Sequence, residues 1–192
     1  MACRFGMVLY VISQFLAFLF VLVATPIDMF RPKGTSRFGN TDCLTLWGEK
    51  KHCYSTVYDQ KSSTIWANCP QRGLQFLVAA VLAVISIFVY GLAFILGFIM
   101  LFCCFCLRWV CLTLNIVGFG TLSVVWALMV VVYYTDDGTP CPRLSQKYHF
   151  GAGFALFLST WVRDIFSILY LLVTFNATDP HRNKTPKDAK QQ

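Results

Sequence analysis

Cys43 and Cys53, ten residues apart, are the residues of this chain whose type and spacing most clearly point to chemistry. Residues 44–47 between them are rich in strand formers, and Gly48 permits a turn or bulge. A disulfide would join the two arms of a hairpin, and closing so small a loop stabilises it by about 2–3 kcal/mol through chain entropy. The alternative is a zinc site shared with His52, but two thiolates without a second pair match zinc sites poorly.

The same segment contains a candidate for contact with a partner, Trp47. Together with Leu44, Leu46 and Trp66 it would form an apolar face that meets a neighbouring membrane or protein. The alternative is that Trp47 packs into the small core of its own loop, against the bilayer surface. We predict that Leu44, Leu46, Trp47 and Gly48 form the contact loop.

Five further cysteines divide into two kinds of candidate. A bond between Cys69 and Cys141 would join the first loop to the second, and the alternatives are two free thiols or a bond between chains. Cys103, Cys104 and Cys106 lie beside a predicted short connection, and juxtamembrane cysteines are substrates for palmitoylation. The alternative for these three is unmodified packing, because cysteine is a small apolar residue.

Arg163 and Asp164 are adjacent charged residues inside an otherwise apolar stretch. Each costs roughly 2.5–3.5 kcal/mol to insert at mid-membrane. Neighbouring helical positions point about 100° apart, so the two cannot easily neutralise each other. Gln14 and Asn115 are the main polar candidates for partners in other spans. The pair would serve either as a proton or ion pathway or as a polar clamp that fixes helix packing.

Composition places the chain among membrane proteins, because 57% of its 192 residues are hydrophobic and 13% are charged. A spanning helix needs roughly 20 consecutive apolar residues, and a strand in lipid would leave backbone amides unpaired. Four apolar runs satisfy this length: residues 5–27, 73–107, 109–135 and 148–178. We predict an all-α membrane protein, a bundle of four transmembrane helices with a small, disulfide-bonded, partly β extracellular loop.

The second run is too long for one span, since 35 uncharged residues extend about 50 Å against a hydrocarbon core of about 30 Å. A short connection therefore interrupts the apolar region. The predicted segments are a cytosolic N-terminus (1–4), a first span (5–27), a first extracellular loop (28–73) that contains residues 43–53, a second span (74–100), a short cytosolic loop (101–109), a third span (110–134), a second extracellular loop (135–149), a fourth span (150–175) and a disordered basic cytosolic tail (176–192).

The first loop and the tail are both basic, so the positive-inside rule gives mixed counts and does not decide the orientation. The cysteines decide it instead. Cys43, Cys53, Cys69 and Cys141 fall on one side, which suits an oxidising compartment. We therefore predict a multi-pass protein of the plasma membrane with both termini in the cytosol. The first run could instead be a cleaved signal peptide, but it is longer than the apolar core of a usual signal peptide, and Pro26 is unfavourable directly after the only plausible cleavage site.

One segment carries a recognisable signature, which reads Cys43-Leu44-Thr45-Leu46-Trp47-Gly48-Glu49-Lys50-Lys51-His52-Cys53. It resembles the signature of the amastins, surface proteins of kinetoplastid parasites, and departs from it only at His52, where the family has an acidic or amide residue or threonine. The resemblance extends to four spans, a large first loop and a small second loop. It implies the parasite plasma membrane and a role at the host interface. Amastins are distantly similar to claudins, which implies a claudin-like bundle able to self-associate.

Nothing in the sequence indicates an enzyme. The histidines are scattered at positions 52, 149 and 181, and no phosphate-binding glycine loop, HExxH or GxSxG occurs. We predict no catalytic residue, cofactor or metal. The net charge of +7 comes from the first loop and the tail, without nucleic acid as a partner. The predicted partners are the lipid bilayer, a second copy of the chain, and a host membrane or surface protein.

The preferred function is therefore contact with another membrane or protein through the disulfide-bonded loop. The rival function is a transporter or ion-conducting subunit in which Arg163 and Asp164 line a polar path. A third function is lipid binding between the helices. Glycosylation sequons at Asn176 and Asn183 face the cytosol in the predicted topology, where they stay unmodified.

Overall fold

Four long helices form most of the protein. The computed structural model describes residues 2–34, 39–102, 107–138 and 141–178. The helices are α1 (Ala2–Ala24), a single turn α2 (Ser62–Ile65), α3 (Pro70–Phe102), α4 (Leu107–Tyr134) and α5 (Ala152–Thr178). Within these residues, α1, α3, α4 and α5 are each long and apolar enough to cross a membrane. This confirms the predicted four-helix membrane fold.

Prolines account for two helix ends that differ from the predicted segments. α1 ends at Ala24, before residue 27, because the residue that precedes Pro26 is disfavoured in the helical conformation. α3 begins at Pro70, before residue 74, where a proline suits the first helical position because it lacks an N–H group.

The connection between α3 and α4 is shorter than the predicted residues 101–109, because helix continues to Phe102 and resumes at Leu107. The palmitoylation candidates Cys103, Cys104 and Cys106 lie outside the described residues. At the other end of the chain, α5 continues to Thr178, where the predicted disordered tail has already begun; residues 179–192 lie outside the described part.

The four long helices pack in the cyclic order α1, α3, α4, α5, so that each contacts two others. Small residues on α3 make close approach possible: Ala79, Ala83 and Ala93 are almost completely buried. Gly97 lies against Tyr10 of α1, where an added Cβ would come within 3.2 Å of the ring. Large apolar side chains such as Phe88 and Phe166 remain exposed on the outside of the bundle, as expected for a surface that faces lipid.

A five-stranded antiparallel sheet covers one end of the bundle. Its strands are β1 (Phe30–Pro32), β2 (Cys43–Leu44), β3 (Gly48–Lys50), β4 (Gln60–Lys61) and β5 (Tyr148–Phe150), in the order β4-β3-β2-β1-β5. β1 pairs with β2 on one side and with β5 on the other. Because β5 comes from the second loop, the sheet joins both loops, whereas the sequence predicted a hairpin in the first loop alone.

Phe30 in β1 fixes the sheet to the helices. It is fully buried, and its ring stacks on Tyr133 at 6.0 Å and meets Phe76 edge-on at 6.3 Å between centroids. Phe150, its partner in β5, lies 5.8 Å away. Aromatic pairs in such geometry contribute about 0.5–1.5 kcal/mol each beyond area burial, so this cluster holds the sheet against α3 and α4.

Asp28 joins the end of α1 to the beginning of α5. Its carboxylate is 1% exposed and accepts a hydrogen bond from Arg31 Nε at 2.8 Å. The same oxygen accepts the backbone N–H of Ala152 at 3.1 Å, and the Asp28 carbonyl accepts that of Gly153 at 2.8 Å. The first N–H groups of a helix have no partner within it, and the macrodipole favours an anion there, so Asp28 caps α5.

Replacing Asp28 with alanine should lower the free energy of unfolding by about 3–5 kcal/mol, because it leaves Arg31 buried without its carboxylate and α5 without its cap. Thermal unfolding in detergent, followed by tryptophan fluorescence, measures the change. Asp136→Ala is the matched control, since its ion pair with Arg143 at 3.5 Å is about half exposed and such pairs contribute about 1 kcal/mol or less. Equal losses in the two variants would contradict the role of Asp28.

Candidate contact surface and intramembrane polar cluster

The turn between β2 and β3 is held by the side chain of Thr45. Its hydroxyl oxygen accepts the backbone N–H groups of Trp47 at 3.1 Å and Gly48 at 3.2 Å, and it donates to the Gly48 carbonyl at 2.9 Å. Thr45 is fully buried. Hydroxyl side chains often replace backbone hydrogen bonds in tight turns. A threonine three residues before Gly48 is therefore the pattern that could have indicated the role of Thr45 from the sequence. Thr45 thus fixes the backbone that carries Trp47.

A disulfide closes the base of this turn. The structure joins Cys43, in β2, to Cys53, with the two Cα atoms 5.5 Å apart. Cys43 is buried and lies opposite Lys50 in the strand register. With both sulfurs bonded to each other, the pair is not available to a zinc ion. Within the described residues no group of three histidine, cysteine or acidic side chains is arranged to hold a metal.

Trp47 is the exposed member of the predicted contact loop. Its side chain is 40% exposed, whereas Leu44 and Leu46 are 4% and 1% exposed. The expectation that these leucines share an exposed face with Trp47 is therefore not met, because both side chains pack into the core beneath the sheet. Trp66 is half-buried and stacks on Phe76 at 5.2 Å, so it too belongs to the packed interior.

Gly48 lies at a close approach of two strands. It pairs with Lys61 in β4, and a Cβ atom at this position would overlap the backbone carbonyl oxygen of Gln60. A backbone atom cannot move aside as the end of a flexible side chain can. Gly48 is therefore required for the pairing of β3 with β4 rather than for contact with a partner.

The basic residues after Gly48 have different surroundings. Lys50 is 5% exposed; its ammonium group lies 4.5 Å from the centre of the Tyr58 ring and 3.4 Å from the Pro26 carbonyl oxygen. Burial lowers the pKa of Lys50 below the ordinary value and raises the pKa of Tyr58. Lys51 and His52 are exposed, so Lys51 presents its positive charge to solvent.

Arg72 joins the second loop to the beginning of α3. It is 2% exposed and donates to the Asp137 carboxylate at 3.0 Å. It also donates to the carbonyl oxygens of Pro142 and Cys141, each at 2.8 Å. A disulfide between Cys69 and Cys141, with Cα atoms 6.1 Å apart, lies beside this arginine. The sequence does not distinguish Arg72 from the other basic residues of the first loop, because its partners are more than 60 residues away.

Asp164 is bonded to Tyr90 rather than to the expected partners. It is 2% exposed, and one carboxylate oxygen accepts the Tyr90 hydroxyl at 2.6 Å. The other oxygen has no hydrogen-bond partner in the described part of the chain. Tyr90 itself lies against Gly118 of α4, where an added Cβ would come within 2.9 Å of the ring. No pattern in the sequence points to Tyr90, because a tyrosine within an apolar run is not conspicuous.

Arg163 points in a different direction from Asp164. Its guanidinium group donates to the Ser13 carbonyl at 3.0 Å and to the Ser13 hydroxyl at 3.2 Å, and it lies 5.4 Å from the centre of the Phe20 ring. Among the described residues, Arg163 and Asp164 form no ion pair with each other. This agrees with the directions of adjacent helical side chains.

Gln14 and Asn115 bond to each other, not to the charged pair. The Gln14 amide donates to the Asn115 side-chain oxygen, and Asn115 donates to the Tyr10 hydroxyl at 2.8 Å and to the Cys111 carbonyl at 2.7 Å. With Tyr90 and Asp164, these side chains form a polar cluster that involves all four long helices. Its inter-helix bonds run across the bundle, from α1 to α4 and from α3 to α5, which suits a structural clamp.

Comparison with known proteins agrees with this architecture. The sequence model of one family, described as amastin surface glycoprotein, matches residues 15–171. The match includes residues 43–53, both loops and parts of all four spans. No curated protein and no solved structure matches the chain. Because the matched region covers well over half of the chain, this protein belongs to the amastin family of surface membrane proteins.

Proposed function

We propose that this protein presents its first loop at the parasite surface for contact with a host membrane or surface protein. The observation that carries the proposal is the arrangement around Trp47: an exposed indole on a turn fixed by Thr45, closed by the disulfide of Cys43 and Cys53. A large apolar ring on a rigid turn binds without losing much conformational entropy, which is why tryptophan is enriched at the centres of interfaces.

The rest of the sheet holds this turn rigidly on the bundle. β1 and β5 connect the strands of the first loop to the second loop, and Phe30 fixes β1 to the bundle. Because the loop is already ordered, binding through Trp47 does not reduce its conformational entropy much further.

The proposed topology places the sheet outside the plasma membrane and both termini in the cytosol. The supporting observation is that the disulfides of Cys43 with Cys53 and of Cys69 with Cys141 lie at the same end of the bundle, and disulfides persist in oxidising surroundings. Asn176 and Asn183 then face the cytosol and carry no N-linked sugar.

Trypsin added to intact cells tests this topology. Lys51 is exposed and lies between Cys43 and Cys53, so cleavage after it should leave two fragments joined by the disulfide until reductant is added. Non-reducing mass spectrometry identifies the joined fragments. The basic residues of the tail should stay uncut until the cells are permeabilised. Cleavage of the tail in intact cells, with Lys51 protected, would reverse the topology and remove the case for surface contact.

Replacing Trp47 with alanine should reduce adhesion of cells that display the full chain to cultured host cells by about tenfold, because a buried aromatic anchor carries much of the binding energy of an interface. Adhesion is counted under flow at matched surface expression. Trp109→Ala is the control, because this indole is also exposed but lies at the opposite end of the bundle. Unchanged adhesion of the Trp47 variant would refute the proposed contact residue.

A second candidate function is ion or proton conduction through the polar cluster. The observation in its favour is that two buried acceptors, one oxygen of Asp164 and the side-chain oxygen of Gln14, lack a hydrogen-bond partner among the described residues. Buried acceptors of this kind mark places where a proton or water is received. We favour the clamp, because the hydrogen bonds in the cluster run between helices.

Two variants separate the clamp from a conduction path. Asp164→Asn keeps an acceptor for Tyr90. Because a clamp conducts no protons, proton flux in vesicles that contain the full chain should equal that of the unmodified protein. Tyr90→Phe removes the bond and should lower the free energy of unfolding by about 1–3 kcal/mol, whereas Tyr134→Phe, at an exposed tyrosine, should change it little. Flux that disappears in Asp164→Asn would establish the conduction path instead.

A further inference from the structure

A groove of about 760 Å³ lies between the first loop and the beginning of α3. On the loop side it is lined by Leu46, Trp47 and Tyr58, and on the helix side by Leu74 and Leu77. Its volume falls within the range of about 300–1,000 Å³ that is typical of small-molecule sites, which are also mostly apolar. The groove is therefore large enough for part of a lipid.

The helix wall of the groove belongs to the surface that α3 presents to lipid. Leu74 and Leu77 are 59% and 60% exposed, and Val81, one turn further on, is 50% exposed. From Gly73 to Ala80, both of which line the groove, the helix rises about 10 Å. Because this apolar strip continues along a membrane-spanning helix, an acyl chain can enter the groove from the bilayer without crossing water.

The loop wall of the groove carries hydrogen-bond donors. Lys61, Ser62 and Ser63 line it, and the side chain of Lys61 is exposed. An ammonium group and two hydroxyls offer the donors that a phosphate accepts, and the positive charge complements it. Trp47 and Tyr58 lie beside these donors, and such aromatic side chains prefer the level of the lipid headgroups. The groove thus combines an apolar channel with a cationic rim, which matches an amphipathic ligand.

We propose that this groove binds one phospholipid from the leaflet on the loop side of the membrane. One acyl chain lies along Leu74 and Leu77, and the phosphate is held by Lys61 together with the hydroxyls of Ser62 and Ser63. Trp47 covers the chain from the loop side. The site does not depend on which side of the membrane the loop faces or on adhesion, so it goes beyond the contact function. Its consequence is that the loop is attached to the membrane through a bound lipid.

Photolabelling tests the site in the full chain. The protein is placed in phosphatidylcholine vesicles that contain a trace of phosphatidylcholine with a photoactivatable group on one acyl chain, and labelled peptides are identified by mass spectrometry. Label should appear on the loop peptide that contains Trp47. Leu77→Trp fills the groove and should lower this labelling about tenfold, or about 1.4 kcal/mol of binding free energy. Lys61→Gln should lower it about fivefold, or about 1 kcal/mol.

Ile95→Trp is the matched control, because Ile95 is 53% exposed on the same helix and lies outside the groove; it should leave the labelling of the loop peptide unchanged. Leu77 and Lys61 are exposed, and retention of the disulfide between Cys43 and Cys53 checks folding of each variant.

Equal labelling in the Leu77 and Ile95 variants would show general lipid contact only and overturn the site. Normal labelling in Lys61→Gln would overturn the phosphate contact. Unchanged adhesion of the Trp47→Ala variant, with normal labelling of the unmodified protein, would refute only the contact function.

Discussion

A lipid bilayer offers no hydrogen-bond partner to a peptide group, and the whole architecture is arranged around that constraint. The apolar runs of the sequence satisfy their backbone groups internally as helices, and in the described part of the chain every strand lies at one end of the bundle. At that end the loops satisfy their own backbone groups by pairing with each other. β1 is the centre of this arrangement, because it receives β2 from the first loop and β5 from the second.

The sheet is coupled to the helices by charge as well as by apolar packing. Asp28 caps α5 while it neutralises Arg31, and Arg72 binds four groups of the second loop from the first turn of α3. Buried charges are stable only when they are paired and hydrogen-bonded, so each of these residues ties a loop to a particular helix end. The loops consequently act as a single rigid platform that holds the Trp47 side chain in a fixed position.

The same constraint applies within the bundle, where polar side chains must find one another across helices. Asp164 reaches α3 through Tyr90, while Arg163 reaches α1 through Ser13. α1 packs beside α5, whereas α3 lies across the bundle from it, so satisfying both adjacent charges limits how α5 can rotate. The polar cluster therefore contributes to the choice of one helix packing among several that apolar contacts alone would permit.

The sequence by itself determined the four spans, the apolar character of the bundle and the family, because these depend on run length and on the contiguous residues 43–53. The spacing of Cys43 and Cys53 also indicated the disulfide turn. Only the tertiary structure decided that Leu44 and Leu46 are buried while Trp47 is exposed, that Tyr90 is the partner of Asp164, and that the second loop completes the sheet. These facts depend on residues far apart in the chain, and which distant groups meet is fixed by the packing of the whole bundle rather than by any local preference.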